Sequence, residues 1–295
     1  MTTLLWCIVI FTVLAALVFD VINGFHDCAN SIATVVSTRV LSPRYAVWWA
    51  AFFNFLAMFV FHDPRVAKTI SKIIIIEPSD HAFVYVVLAG LLGAIVWDLL
   101  TWWWGLPTSS SHALIGGLVG AGWTYKGTSV VNWAHVNQVL LCIPLAPIIG
   151  LIFGFSVMLA IIWIFRKWRP AAVDRLFRKA QLFSAALYSL GHGGNDAQKT
   201  IGIIVALLIA AGKLPTDVAL SLTNPKTLWI ILACNLAMGV GTAFGGWRIV
   251  KTMGMKITKL KPVGGFCAES GGALTLFMAT HLGIPVSTTH TITGA

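Results

Sequence analysis

Gly105-Leu106-Pro107-Thr108-Ser109-Ser110-Ser111-His112 is answered, 178 residues further on, by Gly283-Ile284-Pro285-Val286-Ser287-Thr288-Thr289-His290. Both strings read G-[LI]-P-x-[ST]-[ST]-[ST]-H, and both run on to a further glycine, Gly116 and Gly294. Each sets three adjacent hydroxyls just after a proline, inside sequence that is otherwise apolar. A proline followed by hydroxyl residues suits the first turn of a helix, where unpaired backbone N–H groups favour an anion. A polar cassette stated twice in a hydrophobic chain is a candidate binding site, made of Ser109, Ser110 and Ser111 with Ser287, Thr288 and Thr289.

The surroundings are those of a membrane protein. The chain has 295 residues, 58% hydrophobic and only 10% charged, whereas soluble domains carry about 25% charged residues. Its mean hydropathy is +0.85. Segments 4–19, 45–61, 82–98, 139–165 and 228–246 are near or above the roughly 18 apolar residues that span a bilayer. No Lys or Arg precedes the first run and no small-residue cleavage pattern follows it, so it reads as a retained helix and not a signal peptide. The cysteines, Cys7, Cys28, Cys142, Cys234 and Cys267, show no C-x-x-C spacing and read as small packing residues.

The formal charge of +10 is concentrated in two places. Arg166, Lys167, Arg169, Arg175, Arg178 and Lys179 share one stretch, and Arg248, Lys251, Lys256, Lys259 and Lys261 share another. Basic residues gathered beside spanning segments are a topology signal that places both stretches in the cytoplasm. They do not point to nucleic acid.

The chain then repeats itself in order. The first spanning run meets Asn23-Gly24-Phe25-His26-Asp27-Cys28-Ala29-Asn30, which predicts a crossing broken in its middle. Its counterpart is Gly191-His192-Gly193-Gly194-Asn195-Asp196-Ala197-Gln198-Lys199, with Asp27 on Asp196, Gly24 on Gly193 and His26 on Asn195. Asn54 recurs as Asn235, the Val66 string as the Ile249 string, and the first cassette as the second. The four offsets are 169, 181, 183 and 178 residues. Four landmarks in one order indicate a duplication.

The expected fold is all-α and polytopic, with two inverted repeats, broken helices and re-entrant-type segments at the midplane. Residues 1–165 form the first repeat, 166–180 a basic cytoplasmic loop, and 181–295 a second repeat that ends soon after its cassette and so reads as truncated. Five crossings per half, an odd number, would insert the second copy upside down, the design of secondary transporters whose site lies where broken helices meet. Pro144 and Pro147 predict kinks, and Trp102-Trp103-Trp104 an interfacial belt.

Asp27, Asp98, Asp196 and Glu269 lie in or beside apolar runs, where a carboxylate at the bilayer centre costs about 2.5–3.5 kcal/mol. Asp27 and Asp196 recur in the repeat and read as ion- or substrate-binding. Asp98 and Glu269 read equally well as groups satisfied within the bundle. His112 and His290 recur beside the hydroxyls, and Asn54 and Asn235 suit hydrogen bonds between helices.

G-F-H-D-C-A-N-S-I-A-T from Gly24, H-G-G-N-D-A-Q-K from His192 and the paired cassettes resemble the inorganic phosphate transporter (PiT) family along essentially the whole chain. The resemblance implies symport of inorganic phosphate through an inverted-repeat fold in the lipid bilayer, driven by protons or sodium, with no other cofactor and no enzyme activity. By position, Asp27, Asn30, Asp196, Gln198, Ser109 and Ser287 match motif positions associated with phosphate and coupling ions. His26 and Asn195 join the ion-coupling set, and no metal-ligand set is implied. Sodium-coupled animal members have N-D at His26-Asp27 and glutamate at Asn54 and Asn235. The pattern here is similar to bacterial low-affinity permeases of the inner (plasma) membrane, often proton-coupled and able to carry a divalent metal as a metal–phosphate complex. Proton coupling is therefore expected, with His26, whose ordinary pKa is about 6.5, as a titrating candidate. Homo-oligomerisation is left open.

A sulfate permease of the same fold is the nearest rival. Phosphate can donate a hydrogen bond and sulfate cannot, so carboxylates at the site favour phosphate. Ser110 with His112 could suggest an intramembrane serine hydrolase, but no nucleophile-elbow string is present. A channel would lack coupling to a gradient.

Overall fold

A computed structural model describes residues 3–75, 80–257 and 259–295. Its elements are α1 (Thr3–Ser37), α2 (Pro43–Val60), α3 (Arg65–Ile70), α4 (Ala82–Trp104), α5 (Ser110–Lys126), α6 (Trp133–Phe165), α7 (Pro170–Ala210), α8 (Pro225–Phe244), α9 (Trp247–Thr252), α10 (Pro262–Leu282) and α11 (Thr288–Gly294). Four of them, α1, α4, α6 and α8, are long and apolar enough to cross a membrane. The outer face of α6 leaves Leu141, Ile152, Phe155 and Trp163 exposed, as lipid contact requires.

The expected break at Asn23 to Asn30 is absent. α1 runs unbroken for 35 residues and α7 for 41. At 1.5 Å per residue α1 measures about 52 Å, well beyond a hydrocarbon core of about 30 Å. The polar residues do not interrupt these helices because no proline removes a backbone bond within either stretch, and most of their side chains find partners on neighbouring helices. The breaks fall instead at the cassettes. α4 ends at Gly105, left-handed at φ 68°, and α10 ends at Gly283 at φ 72°. A residue with a Cβ is strained in that conformation.

α4 and α5 are two arms of one hairpin. Tyr125 Oη donates to Asp80 Oδ2 at 2.8 Å and Lys126 Nζ lies 3.2 Å from the same oxygen, so the far end of α5 returns to where α4 starts. The Ala82 backbone N–H, the Tyr125 hydroxyl and Lys126 hold the Asp80 carboxyl below its usual range. α10 and α11 repeat the arrangement with a second tip at Gly283. The count of five crossings per half is not reproduced: the first half has α1, α2 and α6 beside the α4–α5 hairpin, and the second, among the described residues, has α7 and α8 beside the α10–α11 hairpin.

The two halves contact each other reciprocally. Thr69 Oγ1 donates to the Gly283 carbonyl at 2.7 Å, and Thr252 Oγ1 donates to the Gly105 carbonyl at 2.8 Å. Arg65 Nη1 donates to the His281 carbonyl at 2.7 Å, and Arg248 Nη1 to the Trp103 carbonyl at 2.5 Å. In each pair the second bond joins the repeat partners of the first, so each short helix, α3 or α9, braces the hairpin tip of the other half.

Two other expectations are adjusted, the loop at 166–180 and the reach of Asn235 between helices. Most of 166–180 is helix, because Pro170 opens α7 at its first turn and Arg178 pairs with Asp174 one turn earlier at 2.9 Å. α6 continues through Pro144 and Pro147. Trp103 and Trp104 are exposed, as a belt requires, while Arg248 stacks over Trp103 at 4.4 Å. Asn54 Nδ2 donates across helices to Thr242 Oγ1 at 2.8 Å, whereas Asn235 Nδ2 bonds the Ile231 carbonyl of its own helix at 2.8 Å.

Close approach of α7 to α2 rests on Gly193, where a Cβ would collide with the Asn54 backbone. Gly193→Ala is expected to destabilise the protein by about 1–3 kcal/mol, because main-chain atoms cannot yield as a flexible side chain would. Gly93→Ala meets nothing within 4 Å and serves as the control. Thermal unfolding of detergent-purified variants reads both, and equal midpoints would refute the packing account.

Candidate functional site

The hairpin tips meet against α1 and α7. Ser109 starts α5 by accepting the His112 backbone N–H at 3.3 Å, and Ser287 starts α11 by accepting the His290 N–H at 3.1 Å. Both are hydroxyl N-caps, which satisfy donors that the first turn leaves free. The tips then bond each other. Ser111 Oγ donates to the Val286 carbonyl at 3.4 Å, and its repeat partner Thr289 donates to the Thr108 carbonyl at 3.0 Å.

Two carboxylates lie beneath the tips. Asp27 is 2% exposed and Asp196 fully buried. Thr288 Oγ1 lies 3.3 Å from Asp27 Oδ2 and 3.3 Å from Asp196 Oδ2. A hydroxyl has a single proton, so it can satisfy one of these oxygens at a time. Asn30 Nδ2 donates to Thr288 Oγ1 at 3.2 Å and to Thr289 Oγ1 at 2.9 Å. His26 Nδ1 meets Asp27 Oδ1 at 2.8 Å, and its Nε2 meets Thr101 Oγ1 at 3.0 Å. Ser110 Oγ donates to Asp27 Oδ1 at 3.4 Å. That bond draws Ser110 toward a carboxylate and not toward His112, whose ring stacks on His290 with centroids 5.1 Å apart.

The cation of this cluster is Lys199, 1% exposed. Its Nζ donates to Asp196 Oδ1 at 2.5 Å, to the Val286 carbonyl at 3.0 Å and to Ser111 Oγ. All three ammonium protons are used, as burying a charge demands. Lys199 is the repeat partner of Asn30. The two side chains do corresponding jobs: Asn30 holds the hydroxyl of Thr289, and Lys199 that of Ser111. His192 Nε2 lies 3.4 Å from Asp196 Oδ2, and Ser31 Oγ is 3.4 Å from its Nδ1. One atom each from Asp27, His192 and Asp196 lies within 4.8 Å of the others, close enough to hold a cation together.

Of the residues expected at the site, Asp27, Asn30, Asp196, His26 and the six cassette residues come together. Asn195 braces the second tip: its Nδ2 donates to Thr280 Oγ1 at 3.0 Å, and its Oδ1 accepts the Val286 N–H at 3.4 Å. Its repeat partner His26 makes the matching bond to Thr101. Gln198 lies apart, its Oε1 accepting the Val66 N–H at 3.0 Å at the start of α3. Glu269 is satisfied within the bundle, accepting from Gln181 Nε2 at 3.0 Å and Ser184 Oγ at 2.5 Å. Asp98 is buried with no partner for either oxygen among the described residues.

Lys199 and His192 are the members that motif reading missed as functional. The signal was available, since the alignment that paired Asp27 with Asp196 also places Lys199 opposite Asn30. A cavity of about 430 Å³ begins at Asn30 and follows α1 past Thr34 to Ser37. It reaches the cluster from the C-terminal end of α1.

Buried carboxylates, a buried ammonium and two facing hydroxyl tips inside an apolar helical bundle define an integral membrane transporter and not an enzyme. The chain belongs to the phosphate transporter family, whose sequence pattern matches residues 23–295. It is 53% identical over 295 residues to a protein of Rhizobium meliloti (strain 1021) described as "Probable low-affinity inorganic phosphate transporter", covering 99% of this chain and 85% of that one. A Bacillus subtilis (strain 168) protein of the same description is 44% identical, with 99% and 85% covered. The fold matches a solved structure described as "The sodium-dependent phosphate transporter" with a TM-score of 0.84 and 25% identity, covering 98% of this chain and 88% of that one. The protein resides in the plasma membrane.

Proposed function

We propose that the chain is a secondary active symporter that moves inorganic phosphate together with a proton or a sodium ion, through a site built from the two cassettes. The observation that carries this reading is the single Thr288 hydroxyl set between two buried carboxylates. Lys199 is the one neighbour that carries a permanent positive charge, so with His26 and His192 neutral the two carboxylates hold more negative charge than the cluster neutralises. An added cation relieves that excess, and a tetrahedral anion is repelled until it does. The anion would be held by Ser110, Ser111, Thr288, Thr289, Asn30 and Lys199. Asp27 and Asp196 supply the dependence on the co-transported ion, with His26 orienting Asp27 and Asn195 setting the second tip. Phosphate, which can donate to a carboxylate, suits this lining better than sulfate.

The repeated cassettes and reciprocal bonds support two inverted repeats, 1–165 and 181–295. The tips touch directly, so an anion enters only when they part. The co-transported ion is the cofactor of the cycle, and a divalent metal would travel as a metal–phosphate complex. Phosphate uptake into proteoliposomes under imposed proton or sodium gradients tests the proposal. Accumulation against a phosphate gradient with either ion supports symport, whereas uptake that only follows the phosphate gradient shows a channel. Complete inhibition by equimolar sulfate would overturn the assignment of the anion.

A further inference from the structure

The turn that ends α1 is shaped for glycine and holds arginine. The Arg39 N–H donates to the Val36 carbonyl at 3.1 Å and the Val40 N–H to the Val35 carbonyl at 3.0 Å, the pair of bonds that closes a helix end around a left-handed residue. Arg39 takes that position at φ 57°, and among the described residues it is the one residue other than glycine with a positive φ. A Cβ is strained there. Arg178 Nη1 donates to the Arg39 carbonyl at 3.3 Å and so fixes the turn from outside. The Arg39 guanidinium has no hydrogen-bond or ion-pair partner among the described residues.

Arg39 lines a cavity of about 350 Å³ together with Pro43, Trp247, Lys251 and Met255, and no acidic side chain lines it. Trp247 and Lys251 are four residues apart in α9, so they share one face of that helix. The Lys251 ammonium and the Trp247 indole N–H also lack partners among the described residues. The lining therefore offers donors and positive charge with no acceptor to meet them. Arg178, which touches the turn, is paired with Asp174 at 2.9 Å and adds no net charge. The cavity shares Ala33, Ser37 and Gly254 with the 430 Å³ cavity that begins at Asn30, so the two adjoin. A phosphate oxyanion fits such a lining, because the arginine fork matches two of its oxygens and lysine adds a point charge.

We propose that Arg39, Lys251 and Trp247 form a second oxyanion site, for a phosphate group, beside the Ser37 end of the cavity that leads from the cassettes. The group is either free inorganic phosphate or the headgroup phosphate of an anionic lipid, since both present the same charged oxygens to the arginine fork. Neither source needs a coupling ion, so the site goes beyond the symport reading and does not depend on it.

The test uses the full chain in nanodiscs at constant ionic strength, so that screening does not change. Its readouts are equilibrium binding of labelled inorganic phosphate and thermal unfolding. In discs of phosphatidylcholine, a site for free phosphate gives a second binding component, which Arg39→Gly and Lys251→Gln each weaken at least about tenfold through loss of a charge-assisted bond. In discs containing phosphatidylglycerol, without added phosphate, a site for the lipid headgroup raises the unfolding midpoint of the parent, and both substitutions remove that rise. Either pattern supports the site and says which source fills it. Glycine suits the left-handed turn, so Arg39→Gly without ligand should unfold no lower than the parent, and its loss of binding then reports the guanidinium and not a broken fold. A phosphate component untouched by both substitutions belongs to the central site, so failure of one reading does not mask the other. Should neither the phosphate isotherm nor the phosphatidylglycerol shift separate the two variants from the parent, the proposal is overturned.

Discussion

Ion-driven phosphate uptake is expected to fall by about two orders of magnitude or more in Asp27→Asn, with the fold intact. Asparagine keeps the shape of the side chain and still accepts from His26, Ser110 or Thr288 through its amide oxygen. What it removes is the negative charge that makes the cluster need a cation. A buried charge interaction is worth about 3–5 kcal/mol when one partner is lost, which corresponds to roughly 10²-fold or more. The measurement is uptake into proteoliposomes under an imposed gradient, beside the unfolding midpoint of the same preparation. Parental uptake by a folded Asp27→Asn protein would remove Asp27 from the coupling mechanism.

The second large effect concerns Lys199. Replacing it with Met leaves Asp196 buried without its ammonium, with Thr288 and His192 as its remaining neighbours. The expected cost is about 3–5 kcal/mol of stability, the usual consequence of breaking one side of a buried pair. Adding Asp196→Asn to Lys199→Met should recover most of that loss, because no unpaired charge then remains. Uptake should recover in neither variant. The double-mutant cycle isolates the pair energy, and additive unfolding costs would show that the two side chains do not act as a pair.

How far the sequence carried can be read from particular residues. The cassettes were legible because G-[LI]-P-x-[ST]-[ST]-[ST]-H contains its own local physics: glycine in a left-handed turn, then a hydroxyl cap. Asp27 and Asp196 were legible through recurrence. The continuity of α1 and α7 was not, because polar residues and glycines in an apolar run look alike whether the helix stops or turns its polar face to a neighbour. That outcome depends on partners such as Thr288 and Thr101, which lie far away in the chain. The hairpin was hidden for a similar reason, since the bonds from Tyr125 and Lys126 to Asp80 decide that α5 turns back. Lys199 looked like the end of a motif, and only tertiary packing makes it the ammonium between Asp196 and the first tip. Asp20 passed unnoticed at the edge of an apolar run, where nothing local distinguishes an interfacial acid from one sealed inside the bundle.

The reciprocal bonds at the tips, Ser111 to Val286 and Thr289 to Thr108, have a mechanical meaning. Each hairpin supplies one donor and one acceptor, and each bond copies the other. A motion symmetric between the two halves lengthens both bonds together. The two tips form a latch with matched halves, and the short helices α3 and α9, each hooked to the opposite hairpin, tie that latch to both halves of the molecule.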